Sequence, residues 1–249
     1  MQDKRIGRRN PNTFYATVDP RPEPKVTWSY NIQAHFARQE LTYYGFFAAI
    51  HPFWLPLYAG MAEFTHQLIA PMVDENITKD LIITASVPLR NDRGKYFWYN
   101  QVSFPGTFDK RGVMVQYLNE FHRLAEFDRM VPSRPALTNC GNAVEGFDER
   151  LKEHVGNLLD KSLRGHLSRT SYKLLDAYRF RIASGQGTER DTVARSLGVS
   201  VQTLDKGNGR LLSQVRREFP TATLTSVARL AYFLNGYFGA PKQLYGEAG

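Results

Sequence analysis

One stretch constrains this chain more than any other: residues 188–219 read as two short helices joined by a tight turn. Thr188, with Asp191 three residues on, resembles a capping box and opens a helix running through Ser196, whose apolar side is Val193, Ala194 and Leu197. Leu197, Gly198 and Val199 form the turn, and Gly198 can take the left-handed conformation that stops a helix. Ser200 can accept a hydrogen bond from a free amide of the next helix, which begins at Val201. Along that second helix Leu204, Leu211, Val215 and Phe219 share one stripe at about 100° per residue, with Leu212 beside it. Gln202, Lys206, Gly209, Ser213 and Arg217 point the other way, flanked by Thr203, Arg210 and Arg216. A helix that packs on one side and offers cations, amides and hydroxyls on the other is equipped to meet phosphates and base edges. An ordinary surface helix would share the apolar stripe. Here the cap, the glycine turn and the basic outer face occur together, which favours DNA. The expected contact set is Ser200, Gln202, Thr203, Lys206, Arg210, Ser213 and Arg217, with Gln202, Lys206 and Arg210 toward the groove. Gly207 and Gly209 each cost roughly 1 kcal/mol of helix stability relative to Ala, so packing or the duplex must hold this helix.

The charge is distributed to match. Residues 1–130 carry 15 basic and 13 acidic side chains, residues 131–167 carry 5 and 5, and residues 168–249 carry 12 and 6. An excess confined to one end is the footprint of a nucleic-acid-binding domain attached to a near-neutral partner. With 249 residues and 42% apolar content the chain can build two cores. The implied division is a basic tail at 1–12, a first domain at 13–129, a linker and signalling helix at 130–167, and a DNA-binding domain at 168–249.

The single cysteine, Cys140, excludes an internal disulfide and fits a reducing compartment. The basic start runs into Asn10-Pro11-Asn12 and not into an apolar segment, and no apolar run is long enough to span a bilayer. The expected location is cytoplasmic, with no membrane partner.

From residue 14 the pattern changes to short strands. Residues 14–19 and 26–32 flank a Pro-rich turn and read as a hairpin. A helical region at 39–68 follows, with breaks expected at Pro52 and Pro56, and then three strands at 81–89, 96–104 and 113–121 separated by Gly-containing turns. Two strands, helices and three strands imply an α+β domain with an antiparallel sheet and its helices on one side. Residues 130–142, with Pro132, Pro135, Asn139, Gly141 and Asn142, read as a linker. Val144, Phe147, Leu151, Val155, Leu158 and Ser162 then recur at three- and four-residue steps as a helix.

Particular phrases in this order resemble a PAS sensor domain over residues 14–128. They are Ile50-His51-Pro52 before a helix, Val87-Pro88-Leu89-Arg90 with residues 92–94, Tyr96 and Trp98 in the next strand, and residues 108–112 before a strand holding Tyr117-Leu118-Asn119. Residues 172–238 resemble a LuxR-type helix-turn-helix domain, through Val193-Ala194, Leu197-Gly198-Val199-Ser200, Thr203-Leu204 and a last helix at 223–237. The chain departs from that family at Gly207 and Gly209, where bulkier residues are expected, and at Asp205, an acid near phosphate. The double resemblance implies a bacterial transcription regulator whose first domain senses a small molecule or a partner.

No phosphate-cradling glycine loop, nucleophile elbow or zinc-type Cys/His spacing occurs, so neither catalytic nor metal-ligating residues are expected, and the sequence requires no cofactor. A haem ligand at His66 is the one metal reading open. The aromatics of the first domain are core, or some of them line a ligand pocket, for which the candidates are Trp28, Tyr30, Phe47, Trp54, Tyr58, His66 and Trp98. A competing reading, motivated by Asp205, Gly207 and Gly209, is a protein-interaction module that no longer reads DNA. A homodimer is expected, since one short helix reads too few base pairs. Its interface would be the 144–158 stripe or the last helix, through Leu224, Val227, Leu230, Ala231 and Leu234.

Overall fold

The structure, a computed structural model, describes residues 10–36, 40–69, 80–109, 114–220 and 223–239. Most of the basic tail therefore lies outside the described residues. The chain separates into two compact units, one holding the sheet and one holding the C-terminal helices from Asp148 onward.

The first unit is a mixed α/β fold on one antiparallel sheet. Its strands are β1 (Thr13–Asp19), β2 (Lys25–Tyr30), β3 (Leu81–Arg90), β4 (Tyr96–Phe108), β5 (Met114–Glu126), β6 (Ala136–Asn139) and β7 (Asn142–Ala143), in the spatial order β2-β1-β5-β4-β3-β6-β7. The hairpin, the helical insertion and the three later strands are those expected. Residues 136–143, expected as linker, are instead two strands: Leu81 to Thr84 of β3 pair with 136–139 and extend the sheet. Their short length and flanking prolines hid the alternation that betrays a longer strand.

Three helices fill the insertion: α1 (Gln33–Phe36), α2 (Tyr43–Ala49) and α3 (Leu55–Ile69). Thr42 caps α2 by accepting from the Gly45 amide at 3.0 Å. Pro56 does not break the helical region, because it falls in the first turn of α3, where no amide hydrogen bond is required of it. The core forms where these helices meet one face of the sheet. Phe14 of β1 stacks on Phe121 of β5 at 4.4 Å, and Phe46 of α2 packs on Phe121 at 5.3 Å. The register between β4 and β5 shifts at Trp98 and Tyr99, where Leu124 of β5 is the extra residue, and both Trp98 and Tyr99 are buried. Trp98 meets Trp54 edge-on at 5.0 Å, and Tyr99 bonds His35 Nδ1 at 2.9 Å.

The second unit is all helical: α4 (Phe147–His166), α5 (Arg169–Ala183), α6 (Arg190–Ser196), α7 (Val201–Val215) and α8 (Val227–Phe238). Asp148 and Glu149 in the first turn of α4, and Arg164 and His166 in its last, complement the helix dipole. The buried stripe of α4 is Phe147, Leu151, Val155, Leu159 and Leu163, so it drifts from the expected Leu158 and Ser162. On α8, Val227, Leu230, Ala231 and Leu234 are buried, as is Leu224 before it. Each stripe expected as a dimer surface is thus largely covered within a single chain.

One buried cation ties three helices together. The Arg179 side chain on α5, 2% exposed, donates to Asp160 of α4 at 2.6 Å, to Asn235 Oδ1 of α8 at 3.0 Å and to the Gly239 carbonyl at 3.0 Å. Asn235 returns a hydrogen bond to the Arg179 carbonyl at 2.8 Å. Every strong group of the fork is matched, as burial of a guanidinium demands.

Candidate functional site

The helix-turn-helix is built by local rules. Helix α6 stops because Gly198 turns left-handed, at φ 65°. Its following amides then fold back, Val199 N–H onto the Ala194 carbonyl at 3.0 Å and Gly198 N–H onto the Arg195 carbonyl at 3.1 Å, which satisfies the free end of the helix. Helix α7 starts at once, with Ser200 Oγ accepting from the Thr203 amide at 3.1 Å. Two expectations fail at the edges of the motif. The residue capping α6 is Glu189, without a side-chain hydrogen bond, so Thr188 and Asp191 make no capping box. Leu197 is 37% exposed, because the turn carries it off the α6 face that Val193 and Ala194 bury.

On α7 the two faces separate cleanly. Leu204, Leu211 and Val215 are buried, and Phe219 is buried in the turn after the helix. Ser200, Gln202, Thr203, Lys206, Arg210, Ser213 and Arg217 are all exposed on the opposite side, with Gly209 and Arg216. The features that set this helix apart from its family each have a physical account. A Cβ on Gly207 would come within 3.1 Å of Leu174, so glycine there lets α7 lie close on α5. Asp205 is held by Arg190 of α6 at 2.9 Å, which offsets its charge. Gly209 faces open space. Asn208 reaches back from α7 to donate to the Tyr178 hydroxyl of α5 at 3.1 Å, a contact between residues thirty positions apart that no local pattern signals.

The sheet unit holds a partly open cavity of about 170 Å³ between β1, β5 and the helices. That is smaller than sites for drug-sized ligands, which run to about 300–1,000 Å³. Ala16, Val18, Val26, Phe46 and Phe47 make apolar walls, and Tyr43, Tyr58, His66, Tyr117 and Asn119 supply polar groups. Behind Asn119 lies a chain of buried amides and hydroxyls: Tyr58 donates to Gln101 Oε1 at 2.8 Å, and Gln101 Nε2 donates to Ser103 Oγ at 2.9 Å and Asn119 Oδ1 at 3.0 Å. Burial pushes the Tyr58 and Tyr117 hydroxyls well above the ordinary tyrosine range, so both stay neutral donors. His66 stands at the rim, edge-on to Tyr117 at 6.0 Å. Solvent reaches the ring, yet the crowding around it holds its pKa below the usual histidine value.

Of the seven residues expected to line a pocket, the cavity brings together Phe47, Tyr58 and His66. Trp54 and Trp98 pack against each other in the core, 1% and 0% exposed. Trp28 and Tyr30 stack on each other on β2, outside the cavity lining. Tyr43, Tyr117 and Asn119 were missed, although Tyr117 and Asn119 stand at alternate positions of one strand and so share a face. Among the described residues no group of three His, Cys, Asp or Glu side chains is placed to hold a metal ion, and no helix is long and apolar enough to cross a membrane.

The fold is therefore a mixed α/β chain in which an antiparallel-sheet unit with a partly open cavity precedes an all-helical unit with a helix-turn-helix. No protein-family model and no curated protein matches it. Among solved structures it is similar to a phage VqmA in complex with DPO, at 12% identity over 96% of this chain and 88% of that one, with a TM-score of 0.29. It is similar also to a Vibrio cholerae VqmA in complex with ligand and DNA, at 18% identity over 75% of this chain and 68% of that one, with a TM-score of 0.21. A third is a Vibrio cholerae VqmA dimer without its target DNA, described among LuxR-type receptors, at 15% identity over 74% and 65%, with a TM-score of 0.23.

Proposed function

We propose that this chain is a DNA-binding transcription regulator in the cytoplasm, whose sheet unit takes up a small molecule and whose α6–α7 pair reads duplex DNA. The observation that carries the reading is the two-sidedness of α7: its apolar stripe is fully engaged, while Gln202, Lys206, Arg210, Ser213 and Arg217 stay exposed on one side. Gln202, Lys206 and Arg210 would reach base edges in the major groove, and Thr203, Ser213 and Arg217 phosphates, with Ser200 capping the helix. The cavity would accept a compact ligand that presents apolar surface to Phe46 and Phe47 and hydrogen-bonding groups to Tyr117 and Asn119.

The test is affinity for promoter DNA across a salt series. A DNA reader loses log affinity with log salt at a slope of roughly 0.9 per phosphate contact. Lys206→Ala or Gln202→Ala should cost about 1–3 kcal/mol and relax one base position, whereas Arg217→Ala should weaken all sequences alike and flatten the slope by about one. Binding that is undetectable or indifferent to salt would return the chain to the interaction-module reading. Equal losses on every sequence for Gln202→Ala and Lys206→Ala would show that another face of α7 meets the bases.

A further inference from the structure

The sheet unit carries a second recess, an open groove of about 430 Å³ between α2 and the turn that joins β3 to β4. Its volume falls in the range of about 300–1,000 Å³ typical of small-molecule sites, which the cavity at β1 and β5 does not reach. Gly45, Ala48 and Ala49 lie three and four residues apart on one side of α2, and their small side chains leave the space that the groove occupies. Phe36 and Leu41 add apolar surface. Leu41 also lines the first cavity, so the two recesses share a wall.

The other side of the groove is fixed by backbone. Ile50, directly after α2, makes an isolated antiparallel bridge with Leu89, and the His51 amide donates to the Pro88 carbonyl at 3.0 Å. The end of α2 is thereby fastened to β3 just before Arg90. In the turn, the Asn91 amide donates to the Lys95 carbonyl at 2.8 Å, and Asn91 Oδ1 accepts from the Arg93 and Lys95 amides at 3.0 and 2.9 Å. Those bonds occupy the Asn91 side-chain oxygen and leave its Nδ2 to donate elsewhere. Among the described residues no side chain pairs with the Arg90 guanidinium or the Asp92 carboxylate. A cation, an amide donor and an anion thus follow one another along this side, and an apolar wall stands on the other.

We propose that this groove binds a zwitterion with an apolar body, the chemistry of a free amino acid with a large apolar side chain. A simple anion would meet Arg90 and be opposed by Asp92 two residues on, and a simple cation would meet the reverse. A ligand carrying both signs is matched to both. Its carboxylate lies on the Arg90 guanidinium and Asn91 Nδ2, its ammonium on Asp92, and its side chain against Phe36, Leu41 and Ala48. The site is separate from α7 and does not depend on the DNA reading.

Calorimetric titration of the full chain with L-phenylalanine and with L-leucine tests the assignment. At least one should bind, at one site per chain, with a dissociation constant of roughly millimolar or tighter. For the amino acid that binds, the N-acetyl and the carboxamide derivatives each lack one of the two charges and should bind about tenfold more weakly. Arg90→Met should erase the preference over the carboxamide, and Asp92→Asn the preference over the N-acetyl derivative, a crossed pattern that a merely structural role for either residue would not give. Ala48→Trp should fill the groove and abolish binding, while Tyr232→Ala, exposed on α8, should leave it unchanged. No binding of either amino acid at roughly millimolar concentration overturns the inference, as does binding that Arg90→Met and Asp92→Asn leave as it was. Equal or tighter binding of a singly charged derivative also overturns it, since the groove would then serve a simple anion or cation. So does binding lost with Tyr117→Phe and kept with Ala48→Trp, which would put the ligand in the first cavity. Should Ala48→Trp fail to fold, the crossed pattern at the two exposed turn residues still decides.

Discussion

Helix α7 and strands β4 and β5 carry comparable numbers of polar side chains, and they dispose of them in opposite ways. On α7, Gln202, Lys206, Arg210 and Ser213 face outward into solvent, while Asp205 and Asn208 are held by Arg190 and Tyr178. On β4 and β5, Gln101, Ser103 and Asn119 face inward and satisfy one another behind the cavity wall. An outward polar face costs nothing until a ligand arrives. An inward network must be complete to be tolerated at all, so it fixes the shape of the cavity before any ligand enters.

Stability measurements should separate the two regions most sharply. Trp98→Ala removes a side chain with no exposure and an indole N–H donated to the Phe127 carbonyl at 2.9 Å, and should cost about 3–5 kcal/mol of unfolding free energy by denaturant titration. Lys206→Ala, on the outer face of α7, should stay within about 0.5 kcal/mol on the same measurement. A comparable loss at Lys206 would mean that α7 is held by its polar side as well. Arg179→Ala comes next, at about 3 kcal/mol, because Asp160, Asn235 and the Gly239 carbonyl all lose their donor. Arg179→Lys should recover little, since an ammonium cannot reproduce the fork.

A pH series brings out the inward logic alone. His35, 2% exposed, is held well below its ordinary 6.5, to about 4, first by burial and then by the charge of Arg123. Its Nδ1 meets the Tyr99 hydroxyl, and its Nε2 has no partner. The unfolded chain therefore binds the proton more readily than the folded one. Stability from this group is complete above pH 6.5 and is lost as pH falls toward about 4, by up to about 1.4 kcal/mol per pH unit. His35→Phe should flatten that window by one proton. An unchanged slope would place the proton uptake at another group. Last come the glycines of α7, whose substitutions should act with opposite signs. Gly209→Ala, in open space, should raise stability by up to about 1 kcal/mol, whereas Gly207→Leu, driven into Leu174, should lower it by about 1–3 kcal/mol.

The same contrast explains what the sequence disclosed. The stop at Gly198, the cap at Ser200 and the two faces of α7 are local features, set by residues within a few positions of each other, and the structure has them where the pattern puts them. The sheet and its helical insertion were legible for the same reason. Strands β6 and β7 were not, because four residues between prolines and an Asn/Gly turn hold too little alternation to distinguish pairing from a linker. The cavity was legible only in part. Aromatic content flags burial without saying which ring meets which: Trp98 packs against Trp54, while Tyr117 and Asn119, noted in the sequence only as part of a motif, reach the cavity.

The Arg179 fork also decides where this protein can be cut. Residues 168–249 look like a self-sufficient fragment when helices are counted, but the carboxylate that neutralises the buried guanidinium, Asp160, lies upstream on α4. A fragment beginning after Leu167 would keep an interior cation stripped of its counterion, and one beginning near Gly146 would keep the pair. A cut in the short run between β7 and α4 therefore keeps the pair whole, with α4 on the same side as the helix-turn-helix.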